Sequence, residues 1–400
     1  MPDAGWVRQQ AAVSLGRLWP RLEACFQEQR LAQPEEWRTF EARLRCEWER
    51  LFDLLVELYG EHYDFFFHLE VILTTAARSW LARPGWLKQL DARREAAPDW
   101  FQSQQMVGGV CYVDRFAETL AGLRAHLPYF QELGLTYLHL MPLFEAPSGN
   151  SDGGYAVSSY RRVDPQLGTI EELSALACEF QAHGISLVLD FVFNHTSDEH
   201  EWARLAQAGD MEHQGYYFLF PDRTLPDAYE QTLRDIFPTV RRGSFTWRED
   251  IRQWVWTTFN SYTYASDSAQ AGDSRWVHRP KVDWEQRRTA RQDLAAPFGR
   301  VWAELTRLIH LRKAQPAIWD GEMEVIESGD PHLFGFVRHH DRQRLLVVAN
   351  FSEHQQAIDA NRVRVYGLGY HFTDLISGLA RTADGPLRLE PYQCVWLEAR

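Results

Sequence analysis

The chain has 400 residues, 45% of them apolar and 24% charged, a balance that fits a soluble globular protein with two or three cores. A formal net charge of −13 and a pI near 5.6 disfavour polyanions, so nucleic acid and anionic membrane surfaces are excluded as partners and a neutral one is expected. The 16 Trp, 15 Tyr and 23 Phe suit a partner with flat apolar faces, although most such rings serve cores.

From Met1 to Trp19 charged residues interrupt the apolar ones and Pro20 follows, so no secretion signal is read. Five cysteines (Cys25, Cys46, Cys111, Cys178 and Cys394) are scattered and lack metal or redox spacing, which suggests reduced thiols and a cytoplasmic location. Over residues 1–102 the spacing of Leu44, Trp48, Leu51, Leu55 and Leu58 predicts an all-helical domain, punctuated by Pro34, Gly60 and Pro84-Gly85. The triple Phe65, Phe66 and Phe67 is expected to pack between helices.

A different pattern begins at Gly108. The apolar run GGVCYVDRF, a helical spacing over Leu120, Leu123, Leu127, Phe130 and Leu133, and the strand-like LTYLHLMPLF follow in turn. Then come the polar loop SDGGYAVSSY, a helix through Ile170, Leu173, Leu176 and Phe180, and the strand SLVLDFVF. Alternating strands and helices with nearly continuous apolar strands predict α/β structure with parallel pairing over residues 103–195. Residues 196–262 break the alternation and read as an inserted subdomain, because so long an irregular loop is uncommon inside an α/β unit. Residues 263–318 hold a loop and one further helix at Val301, Leu305, Leu308, Ile309 and Arg312. Short alternating runs over 319–400 predict a separate antiparallel β domain.

The runs SDGGYAVSSY (Ser151–Tyr160) and DFVFNHTSDEHEW (Asp190–Trp202) carry the clearest chemistry. Two glycines after Asp152 allow a sharp turn that presents a carboxylate, Tyr155 offers a ring to a pyranose, and His195 offers a neutral imidazole to a sugar hydroxyl. With IFPTV, WVWTTFNS and DSRWVHRP they make the chain resemble glycoside hydrolase family 13, and within it the amylosucrases, over nearly its whole length. The resemblance implies an N-terminal helical domain, a (β/α)₈-type barrel with an insertion after its third strand, and a C-terminal β-sandwich. It implies sucrose and α-glucan as partners, no cofactor or metal, and a retaining glucosyl transfer that releases fructose. By the same resemblance Asp152, Tyr155 and His195 line a glucosyl pocket and Phe237 and Phe259 wall it. Arg275 pairs with Asp152, and Arg234 contacts the acceptor.

Retaining transfer needs a carboxylate nucleophile and a carboxylic acid about 5 Å apart. Neither is found. Arg291 and Asp293 form an R-x-D in a polar context that opens a helix, and His340 with Asp341 falls in a hairpin turn. Asp283 and Glu285 lie in a loop before the last helix. His195, Glu199 and His200 lack the spacing of a metal site. Gly108 to Lys313 holds 206 residues with the insertion included, whereas such a barrel takes roughly 250. The barrel is therefore expected to be incomplete, lacking its middle and later strands, and the chain to be catalytically incompetent. Two other readings remain at this point: a glucan-binding or relict protein without catalysis and, more weakly, an α-amylase-type hydrolase.

Overall fold

A computed structural model describes residues 4–148, 151, 153–234, 243–257 and 281–400. The chain divides into two compact units, Met1–Trp100 and Phe101–Arg400. In the first, five helices form: α1 (Ala4–Cys25), α2 (Gln27–Ala32), α3 (Pro34–Tyr59), α4 (Phe65–Ala82) and α5 (Gly85–Ala96). Apolar residues at helical spacing, among them Trp37, Phe40, Leu44, Trp48 and Phe52 of α3 and Leu69, Leu73 and Ala77 of α4, build one core. Only Phe65 of the phenylalanine triple joins it; Phe66 and Phe67 are exposed. Three successive helical positions span about 200° of arc, more than one buried stripe can hold. Leu58 is likewise exposed, beyond the stripe formed by Leu44 and Trp48.

The second unit opens with a three-stranded parallel sheet, order β1-β2-β5, from β1 (Gly108–Cys111), β2 (Tyr137–Leu140) and, further on, β5 (Ser186–Leu189). The first strand stops at Cys111, and Val113–Phe116 turns into a short helix (α6), so strand character covers only the start of GGVCYVDRF. Helices α7 (Leu120–Ala125), α8 (Leu127–Leu133) and α9 (Ile170–Ala182) cover one face of the sheet. Leu138 and Leu140 point into that layer among Leu123, Phe130, Leu176 and Phe180, each at most 2% exposed. Thr169 and Glu172 close a reciprocal capping box on α9, a feature that contributes about 1 kcal/mol.

Among the described residues the opposite face of this sheet has no such cover. Val110 stands directly opposite His139, and His139 opposite Val188, yet Val110 is 64% exposed. In a closed barrel this row would line the interior. Beside β5, Ile170, Leu173, Ala177, Leu187 and Leu189 border an open groove of about 210 Å³, the side on which a fourth unit follows in a (β/α)₈ barrel.

The other side is built as a barrel seam. After the short strands β3 (Phe144–Glu145) and β4 (Ser159–Val163) and the insertion, helices α13 (Trp284–Gln292) and α14 (Pro297–Lys313) return to α8. Trp284 donates to the Phe116 carbonyl and packs on Phe116, His126 and Tyr129. His310 meets the Glu132 carbonyl at 3.0 Å and Lys313 donates to that of Gly134 at 3.1 Å. Even so, Val301 and Leu305 of α14 stay exposed. The insertion comprises α10 (Glu201–Gln207), α11 (Met211–Gln214), α12 (Thr224–Glu230) and a sheet of order β6-β8-β7, from β6 (Leu219–Phe220), β7 (Phe245–Arg248) and β8 (Gln253–Trp256).

The C-terminal part follows α15 (Ala317–Asp320) and is a six-stranded sheet of order β14-β13-β16-β11-β10-β9. Its long hairpin joins β10 (Leu333–His340) to β11 (Gln343–Asn350). β9 (Glu322–Val325) flanks that hairpin on one side and β16 (Cys394–Ala399) on the other, with β13 (His371–Asp374) and then β14 (Ala380–Thr382) beyond β16. A separate pair joins β12 (Gln356–Ile358) to β15 (Leu387–Leu389). One helix, α16 (Ala360–Gly367), is an addition that the alternating pattern did not announce; Val363 of it is buried in the sheet core. No helix among the described residues is long and apolar enough to cross a membrane.

Candidate functional site

The site is assembled at the carboxyl ends of β2 and β5. After β2 the chain reaches the Ser151–Tyr155 turn, where Gly153 and Gly154 take φ of 67° and 93°. A Cβ on Gly154 would come within 2.9 Å of Pro142, so both backbone hand and space require glycine there. The turn is held by Ala156 N–H donating to the Ser151 carbonyl at 2.9 Å. It presents Tyr155, which is half-buried.

The run after β5 is fastened to this loop at two points. Ser197 N–H donates to the Val157 carbonyl at 2.9 Å, and the Tyr160 hydroxyl reaches the carbonyls of Val192 at 2.6 Å and His195 at 3.1 Å. The Tyr160 ring stacks on Phe191 at 4.8 Å, and its burial pushes the phenol pKa up, which keeps the hydroxyl protonated as a donor. Thr196 and Tyr217 share a hydroxyl contact of 2.9 Å that brings the insertion to the same loop. Burial raises the Tyr217 phenol as well.

These contacts fix His195. Its Nδ1 lies 3.3 Å from the Asn194 amide, while Nε2 is shielded from solvent with no hydrogen-bond partner among the described residues. Shielded polar nitrogens are rarely left without a partner. Of the other residues expected at the site, Arg234 lies exposed beyond the end of α12. Asp152, Phe237, Phe259 and Arg275 fall outside the described residues. Tyr160, Ser197 and Tyr217 were not singled out from the sequence. Their roles run through backbone carbonyls and a distant hydroxyl, and the one hint was that Tyr160 and Ser197 lie within the two quoted runs.

Most of the carboxylates weighed as substitutes have a structural task. Asp283 caps α13 by accepting from Gln286 N–H at 2.9 Å, and Glu285 lies in that helix's first turn. Asp293 accepts from Ala295 and Ala296 N–H between α13 and α14, while Arg291 pairs with Glu132. Asp341, at φ 50°, makes the β10–β11 turn beside His340. Glu199 pairs with Arg204. Elsewhere in the second unit, hydrogen bonds hold Asp210 (from His213), Asp222 (from Thr224) and Asp250 (from Arg248) below the usual carboxylate range. A general acid needs the opposite shift. Among the described residues no group of three or more His, Cys, Asp or Glu could hold a metal ion.

Residues 98–283 match the family of the α-amylase catalytic domain and residues 324–398 the amylosucrase C-terminal domain. The chain is similar to Maltase 1 of Drosophila virilis, 33% identical over 141 residues, which are 35% of this chain and 22% of that protein. It is similar also to the trehalose synthase of Pimelobacter sp. (strain R48), 33% identical over 138 residues, 34% of this chain and 23% of that one. The matched stretch thus spans less than a quarter of these relatives' length. In fold, the chain resembles the trehalulose synthase MutB from Pseudomonas mesoacidophila MX-45, with a TM-score of 0.54 at 14% identity over 74% of this chain and 99% of that chain. A MutB mutant in complex with the substrate sucrose gives a TM-score of 0.55 at 14% identity, over 75% and 99% of the two chains. Over residues 98–283 the chain is thus similar to the α-amylase family, glycoside hydrolase family 13. Within that family its C-terminal domain is of the amylosucrase type.

Proposed function

We propose that this chain is a catalytically silent relative of the amylosucrases, able to hold a glucosyl ring but unable to cleave its glycosidic bond. The observation that carries this reading is the parallel sheet, which among the described residues ends after three strands. Family members place catalytic groups at the ends of several different barrel strands, and a nucleophile and an acid must face each other across the anomeric carbon. Among the described residues the three strand ends supply Tyr155 and His195 and no such pair. Asp152, Phe237, Phe259, Arg275 and Arg234 complete the proposed sugar contacts, with sucrose or an α-glucan as the ligand and no cofactor.

Support for the amylosucrase subtype comes from the type of the C-terminal domain. The domain boundaries we propose are residues 1–102, 103–195, 196–262, 263–318 and 319–400, with an internal block of barrel units lacking between the insertion and the last helix. The test is calorimetric titration of the purified chain with sucrose and with maltoheptaose. Saturable heat that vanishes in His195→Ala is expected. Absence of binding to both sugars favours the relict reading instead.

A further inference from the structure

We propose that His200 is a proton-sensitive latch: while its imidazole is neutral it holds the first helix of the insertion, α10, to the loop that carries His195, and protonation releases it. His200 is 8% exposed and occupies the capping position of α10 with extended backbone, φ −62° and ψ 144°. Its Nδ1 accepts from Trp202 N–H at 3.2 Å, the part normally played by Asn, Asp or Ser. That contact requires a lone pair on Nδ1, so the ring's one proton sits on Nε2. A second proton can bind only by taking the lone pair and turning the acceptor into a donor aimed at another donor.

The same residue is tied to the site loop. His200 N–H donates to the Ser197 carbonyl at 3.1 Å, and Ser197 N–H in turn holds the Val157 carbonyl. The imidazole lies 5.7 Å from the Tyr160 ring, whose hydroxyl reaches the His195 carbonyl, and 5.0 Å from Trp202. The groups around it are neutral Tyr160 from β4 and Trp202 and Glu201 from α10 itself. Asp198 and Glu199 flank it in sequence, the latter paired with Arg204. Burial lowers the His200 pKa below its ordinary 6.5 and outweighs the raising effect of Glu201. The positive end of the helix acts in the same direction.

The sign follows. With the folded value depressed, the unfolded segment takes up its proton first as pH falls through about 6.5, so the latch is fully stabilising above that pH and weakens below it. Hydrogen exchange of the peptide 197–209, corrected for intrinsic rates, tests this at pH 7.5 and 5.5. Protection in the natural chain is expected to fall about five-fold at the lower pH, the worth of one cap. His200→Asn keeps an acceptor that does not titrate and is expected to show equal protection at both pH values. His200→Ala should be poorly protected at both. An unchanged natural chain, the same fall in His200→Asn, or an equal fall in the Ile170–Ala182 peptide would overturn the proposal.

Discussion

Ser197 N–H and the Val157 carbonyl meet at 2.9 Å, and this one backbone hydrogen bond joins the two runs that carry the sugar-site signature. The loops proposed to grip a glucose ring are thus held by contacts with each other and, through Thr196 and Tyr217, with the insertion.

The Tyr160 hydroxyl reinforces that junction through the Val192 and His195 carbonyls. Tyr160→Phe should lower stability by about 1–2 kcal/mol, since two shielded carbonyls lose their donor. Urea melts measure the loss, and amide exchange over residues 192–197 should rise more than over β10 and β11. Equal change in both segments would contradict the assignment.

An open sheet face makes a sharp contrast between neighbouring residues. Leu140→Ala, in the helix-covered layer, should cost about 2–5 kcal/mol. Val110→Ala should stay within about 0.5 kcal/mol, because Val110 already meets solvent. In a closed barrel interior the second substitution would cost several times more, so paired denaturation curves distinguish the two architectures.

Exposed sheet and helix faces also carry a cost in solution. Val110, Phe193, Val301 and Leu305 present apolar surface that barrel closure covers. The chain should bind ANS at neutral pH and self-associate at micromolar concentration, as read by sedimentation velocity. A monomer with a single sharp thermal transition and no dye binding would argue against an open barrel.

Thiol chemistry reports on the same sheet. Burial pushes Cys111 up to about 12, so at pH 8 its thiolate is on the order of one part in ten thousand. Cys25, Cys46 and Cys178 are exposed. Iodoacetamide at pH 8 followed by peptide mass spectrometry should label these three within minutes and leave Cys111 intact until the fold is disrupted.

Much of this architecture was legible from residue order. Apolar runs alternating with helical spacings gave the parallel α/β segment, because both periodicities arise from burial on the covered face of the sheet. The C-terminal strands were legible for the same reason. Less so were the details set by tertiary contact. Val113–Phe116 continues the apolar run of β1 yet turns helical, with Val113 buried and the Phe116 ring packed against Trp284. Phe66 and Phe67 are as apolar as Phe65 and still face water, since chain geometry allots the core only one stripe. The helix α16 hides among strand signals because ANRVRVYG alternates apolar and polar residues much as a strand does. At the site, Tyr155 and His195 could be named from their motifs. The backbone contacts of Tyr160 and Ser197 have no sequence pattern, because a carbonyl acceptor can belong to any residue.

Catalysis is the most direct test. Purified chain incubated with sucrose, with and without α-glucan primer, is assayed for free fructose and for lengthened glucan. No fructose above a heat-denatured control is expected, even at high protein concentration. Steady fructose release that scales with enzyme would contradict the account and require a pair of carboxylates facing Tyr155 and His195.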